Sequence, residues 1–164
     1  MKTLYVIRHA KSSWDDGGLS DFERPLNDRG KRDALKMAKR LIEKHVHPDL
    51  MLSSSAKRAY ATAKRIAKVL GFKKDNIKTD ERLYHADEET ILSVIHEIKS
   101  TCSTAFIFGH NPGLTDFVNT LRNDELDIEN IPTCGIVAFS IPVDTWKDVT
   151  WGSGKILFYD YPKK

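Results

Sequence analysis

Three short apolar runs each hand over to residues that can do chemistry. Leu4 to Ile7 is followed by Arg8-His9, Ala105 to Phe108 by Gly109-His110, and Leu50 to Leu52 by Ser53-Ser54-Ser55 ahead of Arg58. Guanidinium forks bind phosphate oxygens bidentately and stay charged at any working pH. A histidine can attack phosphorus when its imidazole is neutral and its second nitrogen is held by a hydrogen bond. Helix starts expected at Ser55 and Asn111 would add backbone N–H donors and positive dipole ends. Such a set suits a dianionic phosphoryl group. No Walker-type glycine loop occurs, which argues against a nucleotide-dependent kinase. Any one of these residues alone is more often a packed histidine or a solvated arginine. The weight lies in their convergence.

Convergence needs a scaffold that gathers strand ends. Four segments have helical spacing. From Asn27, a candidate N-cap, to about His45 a stripe forms from Ala34, Ala38, Leu41 and Ile42. A second helix begins near Ser55, aligns Ala59, Ala63, Ile66, Ala67 and Leu70, and stops at Gly71. A third runs from Asp87 to Lys99, and a fourth follows Asn111-Pro112, a cap and a first-turn proline, burying Leu114, Phe117, Val118 and Leu121. Between them lie strand-length apolar runs, the three above together with Ile136 to Ile141 and Ile156 to Tyr161. Their lack of alternation predicts strands buried on both faces. The expected fold is α/β, a three-layer sandwich with a mostly parallel central sheet, helices on both faces and an antiparallel strand at the C-terminal end. In an open parallel sheet the strand carboxyl ends share one edge, where ligands bind. Trp14 to Pro25, rich in Asp, Gly and Ser, reads as a long functional loop.

Composition narrows the classes. A chain of 164 residues with 40% hydrophobic and 30% charged side chains predicts one globular domain spanning residues 1–164. The 26 basic and 23 acidic residues leave a charge of +3, spread along the chain, so no nucleic-acid partner is expected. Cys102 and Cys134 stand far apart, without a redox or zinc spacing, which favours a reduced, cytoplasmic protein. The first apolar run is broken at once by Arg8-His9, unlike a signal peptide, and no stretch reaches the ~20 apolar residues of a membrane span. His45 and His47 lack a nearby third ligand, so no metal site is expected there. His96 reads as a surface or packing residue. Trp146, Trp151, Phe158, Tyr159 and Tyr161 read as core and edge-strand packing.

The stretch Leu4-Tyr5-Val6-Ile7-Arg8-His9-Ala10-Lys11-Ser12 resembles the R-H-G/A signature of the histidine phosphatase superfamily, with its phosphoglycerate mutase-like fold. Arg24-Pro25-Leu26 with Gly30, the pattern S-x-x-x-R-A-x-x-T from Ser54 through Arg58 and Ala59 to Thr62, and Gly109-His110-Asn111-Pro112 extend the likeness to SixA-type phosphohistidine phosphatases. The four blocks occur in order along essentially the whole chain. The resemblance makes His9 the nucleophile, Arg8 and Arg58 the grip on the phosphoryl oxygens, and His110 a further donor to the transition state. Arg24 either touches phosphate or holds the Trp14 to Asp21 loop by an ion pair. No metal and no organic cofactor are implied.

Two departures bear on substrate. Many ester-cleaving relatives carry Asn six residues after the nucleophile, where this chain has Asp15, a carboxylate expected to turn away or to pair with Arg24. Those relatives also carry a glutamate acid after an E-x-L run, whereas Glu81-Arg82-Leu83-Tyr84 is followed by His85. An alkoxide leaving group needs a proton, while imidazole released from a P–N bond can depart already protonated. The expected activity is therefore hydrolysis of phosphohistidine on a protein such as a phosphotransfer domain, in signal transduction, with inorganic phosphate as product. His85, Glu81 or water remain the candidate proton donors. The protein is expected to act as a monomer, away from membranes. Two alternatives stay open, a general phosphomonoesterase with the same nucleophile and a non-catalytic phosphate- or phosphoprotein-binding module. A mutase fits less well, because a small chain has little room for an enclosing lid.

Overall fold

The architecture is that of a computed structural model, which describes residues 1–15 and 17–164. Asp16, inside the loop expected from Trp14 to Pro25, lies outside the described residues. Six strands form one sheet: β1 (Lys2–Arg8), β2 (Leu50–Ser53), β3 (Lys78–Thr79), β4 (Thr104–Gly109), β5 (Ile136–Ile141) and β6 (Lys155–Asp160), in the order β3-β2-β4-β1-β5-β6. The first four are mutually parallel, while β5 runs antiparallel to β1 and β6 antiparallel to β5. The antiparallel edge is thus two strands wide, one more than expected. The sequence reading also lacks β3, because two exposed residues, Lys78 and Thr79, carry no apolar signal.

Helices α1 (Asp28–Glu43) and α2 (Lys57–Leu70) cover one face of the sheet, and α3 (Glu88–His96) and α4 (Gly113–Leu121) cover the other. α1 begins as expected, with the Asn27 side chain accepting from the Gly30 amide at 2.8 Å. Its buried stripe is Ala34, Met37, Ala38 and Leu41, so Met37 takes the place expected for Ile42, which is exposed. α2 starts later than Ser55, after Ala56, without a side-chain cap, and ends on Gly71 in the left-handed region. α3 is capped by Asp87 onto the Thr90 amide and stops at His96, with Ile98 packing on the core from the turn that follows. Pro112 stands before the first turn of α4, not within it, and Asn111 is no backbone cap. The Asn111 amide instead donates to the Asn130 side chain and the Ile131 carbonyl, and its oxygen accepts from Thr115. Among the described residues, no helix is long and apolar enough to cross a membrane.

Parallel strands place Arg8, Ser53, Thr79 and Gly109 at a common sheet edge. The start of β5 reaches the same edge, where the Arg8 amide donates to Gly135 and the Cys134 amide donates to the His9 carbonyl. Gly30 presses the start of α1 against the segment after His9; a Cβ there would lie 2.1 Å from the Lys11 carbonyl oxygen. The chain after β1 is therefore clamped between β5 and α1.

Candidate active site

A cleft of about 470 Å³ opens at this edge, and Arg8, His9, Arg24, Arg58, His85 and His110 all line it. The junctions that are distant in sequence meet there as expected. His9 is only 6% exposed and its ring centroid lies 5.1 Å from that of His110. Nδ1 of His9 sits 2.7 Å from the Ala10 carbonyl oxygen, which can only accept, so Nδ1 carries the proton and Nε2 keeps its lone pair. Burial, aided by the Arg58, Arg8 and Arg24 charges, pushes the His9 pKa down to about 4 against the hydrogen bond to Ala10. His9 is thus neutral at ordinary pH, the form that attacks phosphorus.

His110 hydrogen-bonds through Nε2 to the Ser54 hydroxyl at 2.8 Å. Ser54 Oγ also accepts from the Ala56 amide, and its proton has His110 Nε2 as a hydrogen-bond partner in the tautomer with the imidazole proton on Nδ1. That arrangement leaves Nδ1–H of His110 as a donor, and among the described residues it is buried without a partner. Burial, followed by the His9 charge, pushes the His110 pKa down to about 3. Arg8 donates from one Nη to the Ile131 carbonyl at 2.9 Å, while its buried Nε has no partner among the described residues. Buried polar groups in native proteins are almost always hydrogen-bonded. Both orphaned nitrogens belong to residues that line the cationic cleft.

Asp21 organises the opposite wall. Its carboxylate accepts from Arg58 at 3.0 Å, from Arg24 at 3.1 Å and from the Tyr84 hydroxyl at 2.6 Å, and its carbonyl accepts a second Arg58 N–H at 2.6 Å. The Tyr84 hydrogen bond and the Arg58 guanidinium hold this carboxyl far below the usual carboxylate range. Arg24 reaches back to the Ser13 carbonyl and the Ser12 hydroxyl and lies over the Trp14 ring. Of the two roles expected for Arg24, the loop-holding one is thereby seen, with Asp21 as its partner. Asp15 is exposed and outside the cleft lining, turned away as expected and not paired with Arg24.

Among the candidate acids, His85 lines the cleft against Tyr84, their ring centroids 3.9 Å apart. Glu81 is exposed and outside the lining, so it is withdrawn as a proton donor in this site. Ser55, expected at the helix start, is half-buried, and its hydroxyl is buried without a partner among the described residues. His45 and His47 are exposed, and among the described residues no group of three or more His, Cys, Asp or Glu side chains could hold a metal ion. His96 bonds the Val149 carbonyl at 2.8 Å, a packing role as expected. Sequence reasoning missed Asp21 and Tyr84 as wall residues and Thr62 as a link, although the Asp21 to Arg24 spacing is a readable i,i+3 ion pair.

The model of the histidine phosphatase superfamily (branch 1) matches residues 4–105. An uncharacterised chloroplastic protein of Arabidopsis thaliana is 30% identical over 161 residues, covering 93% of this chain and 72% of its own. A crystal structure named as the "putative phosphohistidine phosphatase SixA" of Agrobacterium tumefaciens superimposes with a TM-score of 0.81 at 25% identity, covering 98% of both chains. A structure of the protein histidine phosphatase SixA complexed with tungstate gives 0.83 at 18% identity, covering 98% of this chain and 97% of that one, a likeness of fold.

Proposed function

This chain belongs to the histidine phosphatase superfamily, branch 1, with the phosphoglycerate mutase-like fold and a close likeness to SixA structures, and from that premise we propose that it is a metal-independent phosphatase of phosphohistidine on a protein. The observation that carries this reading is a neutral, tautomer-fixed His9 in a cleft whose one lining carboxylate among the described residues, Asp21, is locked in the ionised state. Nε2 attacks phosphorus in line with the scissile P–N bond. That bond breaks and the substrate imidazole, already protonated on its other nitrogen, leaves as neutral imidazole. His9 becomes an N-phosphorylated imidazolium, with its Nδ1–H held on the Ala10 carbonyl. Water then attacks phosphorus, the P–Nε2 bond breaks, and dihydrogen phosphate departs while His9 returns to its neutral form. Arg8, Arg58 and His110 donate to the equatorial oxygens in both steps, where preorganised donors lower the barrier most.

No step of this cycle needs a protein acid. An ester would leave as alkoxide and require one, and Asp21 cannot hold a proton at ordinary pH. His85 in the lining favours a second reading, a phosphomonoesterase in which its imidazolium protonates the leaving oxygen. Incubation of wild type and His9→Ala, with chelator present, with a histidine-phosphorylated protein and separately with a phosphate monoester separates these. Phosphohistidine cleared faster than ester, and neither by His9→Ala, is the expected result. Faster ester hydrolysis establishes the second reading, and tight phosphate binding without turnover makes the protein a binding module. His9→Ala should melt at the wild-type temperature, so that lost activity reports chemistry.

A further inference from the structure

One stretch of the chain carries almost no acidic residues among its basic ones. Residues 57–78 carry eight Lys and Arg against one Asp, while the whole chain is only +3, so the remainder is net acidic. Lys57, Lys64 and Lys68 recur at i, i+7 and i+11 on the outer face of α2, a stripe roughly 16 Å long at 1.5 Å per residue. Arg65 and Lys74 flank it across a groove of about 550 Å³. All five side chains are exposed, and among the described residues none lies within ion-pair distance of a carboxylate. A solvated helix face ordinarily alternates signs or pairs them at i,i+4.

The stripe is continuous with the cleft. Lys57 adjoins Arg58, whose guanidinium lines the cleft wall, and the turn Asp21–Glu23 packs against α2. At that junction Trp14 is 73% exposed and Phe22 is 39% exposed, two large aromatic side chains at the cleft mouth. Exposed aromatic side chains are enriched in protein interfaces, and a lysine stripe beside them steers an acidic partner by long-range attraction. We infer that the outer face of α2, from Lys57 to Lys68, is the docking surface for an acidic protein segment that carries the phosphorylated side chain into the cleft. The inference rests on the phosphoprotein reading above. A net charge of +3 for the whole chain speaks for an acidic protein rather than a nucleic acid.

The test uses two synthetic peptides with one phosphohistidine each, flanked by glutamates or by lysines, and free phosphohistidine as a third substrate. Wild type should turn over the glutamate-flanked peptide about tenfold more efficiently in kcat/KM, with the advantage fading as salt is raised. The double variant Lys64→Glu/Lys68→Glu should abolish or invert the preference while leaving free phosphohistidine turnover unchanged. Equal kcat/KM for both peptides in wild type, or an unaltered preference in the variant, overturns the docking surface and leaves the phosphohistidine reading standing. Hydrolysis of a phosphate monoester but of none of the three phosphohistidine substrates overturns both. Stoichiometric duplex DNA that blocks the glutamate-flanked peptide in wild type but not in the variant reassigns the stripe to nucleic acid.

Discussion

At the scale of single residues, the unexpected member of the site is Asp21. It ties Arg58, Arg24 and Tyr84 together from one carboxylate that is 42% exposed. Arg58 spends two N–H groups on Asp21 and keeps the rest of its five donors for another anion. A phosphoryl dianion gripped there must tolerate a carboxylate on the same guanidinium. Asp21→Asn keeps the backbone contact to Arg58 and a hydrogen-bonding partner for Tyr84 but removes the repulsion. Inorganic phosphate should then inhibit more tightly, by roughly 1 kcal/mol or severalfold, as befits a half-exposed charge pair. kcat should fall in the same variant, because Arg58 loses the charge that fixes its fork. Product-inhibition kinetics on wild type and Asp21→Asn decide the matter, and weaker phosphate inhibition in the variant would show that Asp21 helps the anion to bind.

At the scale of elements, the site depends on how β1 is stitched to α2. The Thr62 hydroxyl accepts from the Ala10 amide at 2.9 Å and donates to the Arg58 carbonyl at 2.8 Å. One buried side chain on α2 thereby joins the residue that orients His9 to the residue that grips phosphate. Thr62→Val preserves shape and β-branching but strands a buried N–H, at a cost of about 1–3 kcal/mol. The Ala10 carbonyl would lose its fixed position under His9 Nδ1, so kcat should drop about tenfold with little change in KM. Thr62→Ser restores both bonds and should recover most of the rate. Equal kcat for Thr and Val would mean that the clamp from Gly30 and Cys134 suffices without the hydroxyl. Packing of α1 and α2 alone would predict a loss of stability in Thr62→Val, but not a recovery specific to serine.

At the scale of the whole molecule, what could be read from sequence is what repeats along it. Apolar runs without alternation marked five strands, and the 3.6-residue stripe and caps marked four helices, because those signals are local. The parallel sheet then turned three separate junctions into one edge, which is why Arg8, His9, Arg58 and His110 were legible. The grip of Asp21 on Arg58 and Tyr84 and the two-residue β3 were not, since they exist only in contacts between elements and carry no period. The burial of the two histidines is likewise a property of the assembled fold, and it has a consequence for stability. Burial pushes folded His9 down to about 4 and His110 down to about 3, against 6.5 for each when unfolded. As pH falls below 6.5 the unfolded chain takes up protons that the folded chain refuses. Stability is therefore lost on acidification, at up to about 1.4 kcal/mol per pH unit for each histidine, until the folded pKa is reached. The contribution of Asp21 lies lower, because a carboxylate with a depressed pKa forfeits its stabilisation only below its unfolded value of 3.8. Urea midpoints measured from about pH 7 down to about pH 5, in phosphate-free buffer so that no bound anion favours the folded state, isolate the histidine window. Wild type should lose a few kcal/mol across it, and His9→Gln/His110→Gln should lose much less. Parallel pH curves for the two proteins would mean that both histidines titrate in the folded cleft as they do in the unfolded chain, and the lowered pKa of the nucleophile would be refuted.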